Sequence, residues 1–349
     1  MLPLVSRAGD WFLRSGIQEP SGGVARYYRA DLQRNHRVST EITGYAASTF
    51  VYLHSLTGDQ RYLDRALAAG RFLAGAAWDP ACCVLPFELD PPAFTYFFDC
   101  GIAVRGLLSV WRATGAAEFL AVAAMLGDSM SRDFAAGPAE FHPILSLPEK
   151  RSLPRDAARW SQCPGCYQLK SAMAWWDLAE ATGDLAFRQP YEALLPAAIQ
   201  DAYSFLPGHQ VPAKVMDRLH AYLYFLEGLL PRATEPPCAT AIREGIARVA
   251  GYLRSIAAEF ERSDVYAQLL RLRLYAAGIV PLDHAAAHEE AERLAAFQAA
   301  SADPRVDGGF YFGCAAGALL PFINPVSTAF ALQALALWDG AGAYPRLLI

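Results

Sequence analysis

Charge is scarce in this chain and lysine nearly missing: 19% of the 349 residues are charged, with three lysines against twenty-seven arginines. The net charge of -5 offers no basic excess for a nucleic-acid partner. Long apolar runs are missing too, since polar residues interrupt each one before it reaches bilayer-spanning length, so no membrane insertion is expected. Met1 to Gly16 carries Arg7, Asp10, Trp11 and Arg14 at helical spacing and lacks the continuous apolar core and small-residue cleavage site of a secretory signal. That points to a cytoplasmic protein. Seven cysteines, an odd number, fit reduced thiols better than a disulfide framework. There is no phosphate-binding glycine loop, no dinucleotide fingerprint and no Gly-x-Ser-x-Gly elbow. Cys163-Pro164-Gly165-Cys166 has redox or zinc spacing, yet it lacks a strand-helix context and a second Cys or His pair. Neither a metal nor a cofactor is implied. With no Ser/Gly linker or charge block to divide it, residues 1–349 read as one domain.

What is present is repetition. Leu56-Thr57-Gly58-Asp59, Ala113-Thr114-Gly115-Ala116 and Ala181-Thr182-Gly183-Asp184 each end one apolar helical run and open another. Glycine supplies a left-handed helix terminus, and Asp59 and Asp184 are suited to cap the next helix. Fourteen residues before each glycine stand Gly44, Gly101 and Leu169, which places three apolar helices in one register. Runs of the same kind span 215–230, 264–277 and 325–338, the last opened by an Asn324-Pro325 cap. Amphipathic helices alternate with them at 62–76, 118–133, 187–203, 239–260 and 284–300, and Pro3 to Ser15 supplies a sixth. About twelve helices in this alternation predict an all-α fold, an (α/α)6 toroid or six-hairpin barrel with inner and outer rings. The N-terminal outer helix and the C-terminal inner helix are complementary halves that would pair at the seam.

Polar residues gather where the inner helices start: Glu41 and Thr43, Asp99 and Cys100, Gln168 and Lys170, Asp217, Arg218 and His220, Asp264 and Gln268, then Asn324, Ser327 and Thr328. On one rim of a toroid these would meet at the mouth of a cavity, beside helix N-termini that favour anions. Asp264 and Ser327 read first as ordinary helix caps. Asp99 follows Phe94-Thr95-Tyr96-Phe97-Phe98, where desolvation would raise a carboxyl toward the range of general acid-base work. Glu41 in a first turn is explained equally by the helix dipole. Lys170 within an apolar helix calls for a partner or a path to the rim. His220, one turn from Asp217, suits a proton carrier or a hydrogen-bonded core residue. The candidate catalytic set is therefore Asp99, Glu41, Asp217, Lys170 and His220.

Aromatic residues cluster around the same starts, and with carboxylates and arginines they suit the apolar faces and hydroxyl edges of pyranose rings. Tyr28, Tyr45, Tyr96, Trp160, Tyr167, Gln168, Arg218, Tyr266, Tyr311 and Asn324 make the candidate substrate-binding set.

Phe98-Asp99-Cys100-Gly101 resembles the aspartate-x-glycine opening of the second inner helix in unsaturated glucuronyl hydrolases, members of the six-hairpin carbohydrate-active superfamily with glucuronyl C5-epimerases and several polysaccharide lyases. The resemblance implies a general acid/base role for Asp99. Where those enzymes place a second aspartate, at the start of the third inner helix, this chain reads Gly165-Cys166-Tyr167-Gln168-Leu169-Lys170. Glu41-Ile42-Thr43-Gly44-Tyr45 and Asn324-Pro325-Val326-Ser327-Thr328-Ala329-Phe330 are similar to phrases in toroids associated with bacterial polysaccharide clusters. The expected activity is carboxylate acid/base chemistry on a saccharide, uronic-acid-containing ones included, as glycosidase, epimerase or lyase, with Lys170 or Arg218 as the cation an epimerase or lyase needs. The alternatives are a non-catalytic glycan-binding scaffold and a cyclase-type toroid.

Overall fold

The three Thr-Gly phrases end their helices in one way, and the threonine matters as much as the glycine. In a computed structural model describing residues 2–349, Gly58, Gly115 and Gly183 are left-handed, with φ of 72°, 71° and 76°. Their amides donate to the carbonyls of His54, Trp111 and Ala179. The hydroxyls of Thr57, Thr114 and Thr182 donate back to Leu53, Val110 and Leu178, and each accepts from the amide two residues on. One short phrase thus satisfies orphan groups on both sides of the turn.

Twelve α-helices result among the described residues: α1 (Leu2–Arg14), α2 (Thr40–Thr57), α3 (Gln60–Arg71), α4 (Phe97–Thr114), α5 (Ala117–Asp133), α6 (Gln168–Thr182), α7 (Arg188–Phe205), α8 (Pro212–Gly228), α9 (Pro236–Ile256), α10 (Ser263–Tyr275), α11 (His284–Ala295) and α12 (Pro325–Trp338). The expected alternation holds: α12 is buried from Pro325 to Leu337, whereas α1 buries only the stripe Val5, Ala8, Gly9, Trp11 and Phe12. Boundaries move at the turns. Asp184 caps a 3₁₀ turn (Leu185–Phe187) ahead of α7, and α3 runs on into a π-helical turn (Phe72–Ala76).

Contacts divide the chain into two units. A mid-chain unit holds Gln18–Ala25 and Arg37–Asp201; an end unit holds residues 2–17, Arg26–His36 and Ala202–Ile349. In the mid-chain unit α2 packs on α4 and α4 on α6, with α3 and α5 outside them. The inner helices meet closely: a Cβ at Gly101 would stand 2.6 Å from Ser171, and one at Gly106 2.6 Å from the Gly44 carbonyl. In the end unit α10 lies between α8 and α12, with α9, α11 and α1 as outer partners. The expected pairing of the first helix with the last is present in α1 on α12.

Two features depart from the sequence reading. Four inner helices enter from two- or three-residue strands. Val38–Ser39 pairs with Val24–Ala25 ahead of α2, and Phe94–Tyr96 pairs with Ile144–Ser146 ahead of α4. Phe260–Arg262 pairs with Gly313–Ala315 ahead of α10, and Phe322–Ile323 with Tyr28–Arg29 ahead of α12. These strands fix the first helical turns, where the candidate residues sit. Charge also lies deep along the inner helices, not only at their starts: Arg105 of α4 pairs with Asp177 of α6 at 2.8 Å, and Arg271 of α10 with Glu227 of α8 at 2.6 Å. Each partner compensates the other's desolvation.

Candidate active site

In the end unit, the entry strand of α10 delivers Arg262, whose guanidinium holds both oxygens of Asp264 at 3.0 and 2.6 Å and reaches Asp217 of α8 at 2.8 Å. The same guanidinium lies over the Phe312 ring at 4.6 Å. Arg262 thereby keeps the Asp264 carboxyl below the usual carboxylate range despite burial. His220, on α8, faces this pair. Its Nδ1 is 2.7 Å from Gln268 Oε1 and 3.4 Å from Asp264 Oδ2, and its ring packs edge-on against Tyr224 at 4.4 Å. Burial pushes the imidazole down to about 4, against the pull of Asp264, so the ring is neutral at pH 7.

The remaining end-unit candidates are placed as follows. Arg218 donates to the Phe205 carbonyl at 2.9 Å, stacks on that ring at 4.3 Å and packs against Gly208, holding the turn before α8. Tyr266 donates to Glu261 at 3.0 Å, and burial pushes its hydroxyl up to about 12. Tyr28 is buried beneath the Arg305 guanidinium, 5.3 Å from its ring centre. Asn324 caps α12, its Oδ1 accepting from Val326 and Ser327. Half-buried Tyr311 gives its carbonyl to Ser263 at 2.7 Å. Of all the end-unit candidates, only Asp217 and His220 are brought to Arg262, Asp264 and Gln268.

In the mid-chain unit, Asp99 sits in the first turn of α4, 5% exposed, and Glu41 in the first turn of α2, half-buried behind the Ser39 cap. Lys170 is fully buried on α6, and Tyr45 is buried on α2. Tyr167 stacks edge-on against Trp160 at 4.9 Å, approaches Phe98 at 6.3 Å and donates to the Cys163 carbonyl at 3.0 Å; burial raises its hydroxyl. Tyr96, on the entry strand, packs on Phe87 at 5.2 Å. Gln168 donates to Phe141 O at 3.1 Å and accepts from the Gly165 amide at 3.2 Å, beside a cleft of about 320 Å³ that Glu140, Leu194 and Asp201 also line. All seven cysteines are free thiols, and among the described residues no three His, Cys, Asp or Glu side chains are grouped to hold a metal.

Arg262 is the residue that sequence reasoning misses; Gln268 stands among the rim residues there without a role, and Asp264 reads first as a cap. A signal existed. Arg and Asp two residues apart form ion pairs at Arg29–Asp31, Asp59–Arg61 and Asp303–Arg305 as well, and of these the pair 262/264 alone falls at the start of a helix buried from Ser263 to Arg273.

No sequence family and no curated relative matches this chain. Solved structures do. Cellobiose 2-epimerase from Spirochaeta thermophila superposes with a TM-score of 0.70 at 14% identity, covering 95% of this chain and 94% of the other. D-mannose isomerase gives 0.71 at 9% identity with 97% of each chain covered. Unsaturated glucuronyl hydrolase from Bacillus sp. GL1 gives 0.66 at 14% identity, over 97% and 96%. The fold is accordingly the (α/α)6 toroid that these enzymes share.

Proposed function

We propose that this protein is a saccharide-acting enzyme of the epimerase or isomerase type, with His220 as the group that moves the proton. The observation that carries the reading is the buried, neutral His220 whose Nδ1 faces two acceptors, Gln268 Oε1 and Asp264 Oδ2. Nδ1 therefore keeps the proton and Nε2 is left as a base. In the reaction, Nε2 takes the proton from the carbon beside the sugar carbonyl and the C–H electron pair becomes the enediolate; the imidazolium then returns the proton either to the opposite face of the same carbon, once the enediolate has turned over, or to the former carbonyl carbon as the C2 hydroxyl proton passes to the C1 oxygen. Asp264 at 3.4 Å stabilises the imidazolium while it lasts, and burial, with a lesser push from Arg262, keeps the resting ring uncharged. The kinship in fold to an epimerase and an isomerase of sugars supports this class. A cytoplasmic location fits the free thiols.

A second reading, hydrolysis or elimination with Asp99 as acid and base, is favoured by the burial of that carboxyl in the first turn of α4, next to Phe98. One experiment separates the two. Incubation with reducing mono- and disaccharides in D₂O, followed by NMR, should show deuterium entering at C2. His220→Asn should slow this at least ~100-fold with unchanged circular dichroism. New reducing ends or an unsaturated product, abolished by Asp99→Asn and untouched by His220→Asn, would put Asp99 in its place.

A further inference from the structure

Two buried polar atoms on α10 and α12 have no partner among the described residues: Gln268 Nε2, on the side chain that meets His220, and Ser327 Oγ, both on fully buried side chains. An unmet donor or hydroxyl in a dry core is costly, so such groups call for a ligand. They share one tier. Tyr224 and Phe330 bring their rings to 6.4 Å, and Arg271 lies 3.8 Å over Phe330. His220, Gln268 and Ser327 each stand one turn before those residues on α8, α10 and α12, so the three belong to the next tier toward the helix starts.

The charges of this tier are already committed. Arg262 is held by Asp264 and Asp217, and Arg218 by the Phe205 turn, which leaves the neighbourhood of His220 with one positive and two negative groups. A sugar carboxylate would be repelled there, while hydroxyl and carbonyl oxygens would find an N–H and an O–H. We infer that Gln268 is two-sided: its carbonyl oxygen fixes the tautomer of His220, and its amide nitrogen, with the Ser327 hydroxyl, receives the oxygen functions of an uncharged saccharide. This rests on the reading of His220 as the site's base and narrows its substrate class to neutral sugars.

The test uses D-glucose and D-glucuronate as probes, which differ only at C6, with the full-length protein ¹⁵N-labelled at histidine. Two-bond ¹H–¹⁵N spectra should show His220 protonated on Nδ1, and saturation transfer should reach glucose in preference to glucuronate. Gln268→Glu keeps the acceptor but not the N–H. It should retain the tautomer, raise the titration of His220 and weaken glucose about tenfold. Ser327→Ala, which leaves the His220 contacts alone, should weaken glucose by a smaller factor without moving the tautomer. Glucuronate bound as well as glucose, a proton on Nε2, no transfer to either sugar, or wild-type binding in both variants would each overturn the inference. None of these readouts needs turnover. Sugar binding without deuterium exchange would sink the proposed reaction and leave this assignment standing.

Discussion

At the residue scale, His220 is held as a neutral imidazole by burial, and that leaves a signature in stability. Folded, it titrates near 4; unfolded, near its ordinary 6.5. Between those values the unfolded chain binds more protons, so stability falls as pH drops from about 6.5 toward 4 and is unaffected by this group above that window. The groups facing it are Asp264, Arg262 and Asp217. Asp264, lowered by Arg262, loses its own contribution only below the ordinary carboxylate range, outside the histidine window. Because Glu290, raised to about 7 by burial, acts with the opposite sign over the same range, the readout is the difference: urea melts at pH 7, 6 and 5 should show wild type losing stability relative to His220→Leu as the pH drops, and parallel slopes would mean the imidazole is solvated.

At the element scale, the two kinds of glycine in the inner helices do different work, and substitution separates them. Gly115→Ala strains a left-handed terminus that faces open space, at about 1 kcal/mol. Gly101→Ala drives a methyl to within 2.6 Å of Ser171 on α6 and forces two inner helices apart, at about 2–3 kcal/mol or more. Denaturant midpoints of both variants check the order. The ion pair deep between α4 and α6 gives a further prediction. Arg105→Ala should cost about 3–5 kcal/mol by stranding Asp177, while Arg105→Met with Asp177→Leu should recover most of it, as a double-mutant cycle would read.

The helices were legible because Thr57-Gly58, Thr114-Gly115, Thr182-Gly183 and Asn324-Pro325 write their own termini. The entry strands were not, because two or three residues are too few to display an alternating pattern. Nor was the Arg262 clamp: an aspartate in a first turn reads as a cap until a buried guanidinium two residues earlier is seen to claim it. Arg105, Asp177, Glu227 and Arg271 were hidden for a related reason, since a hydropathy stripe records where apolar residues fall and not which buried charges meet.

At the scale of the whole molecule, the end unit draws on both ends of the chain. Trp11 of α1 is fully buried, and its indole donates to the Arg305 carbonyl across 294 positions at 2.9 Å. Trp11→Ala should cost about 3–5 kcal/mol, measured by equilibrium unfolding, with loss of the α1 docking visible as faster amide exchange along α12. The first stretch of chain belongs by turns to one unit and the other, changing at residues 17, 25 and 36 before the long return at 201. A ribosome making this chain therefore releases the greasy side of α1 long before its seat, α12. At ordinary elongation speeds that helix waits roughly 15–60 s with Trp11 and Phe12 uncovered. Until that seat arrives, the uncovered stripe is a surface that a holding chaperone can bind.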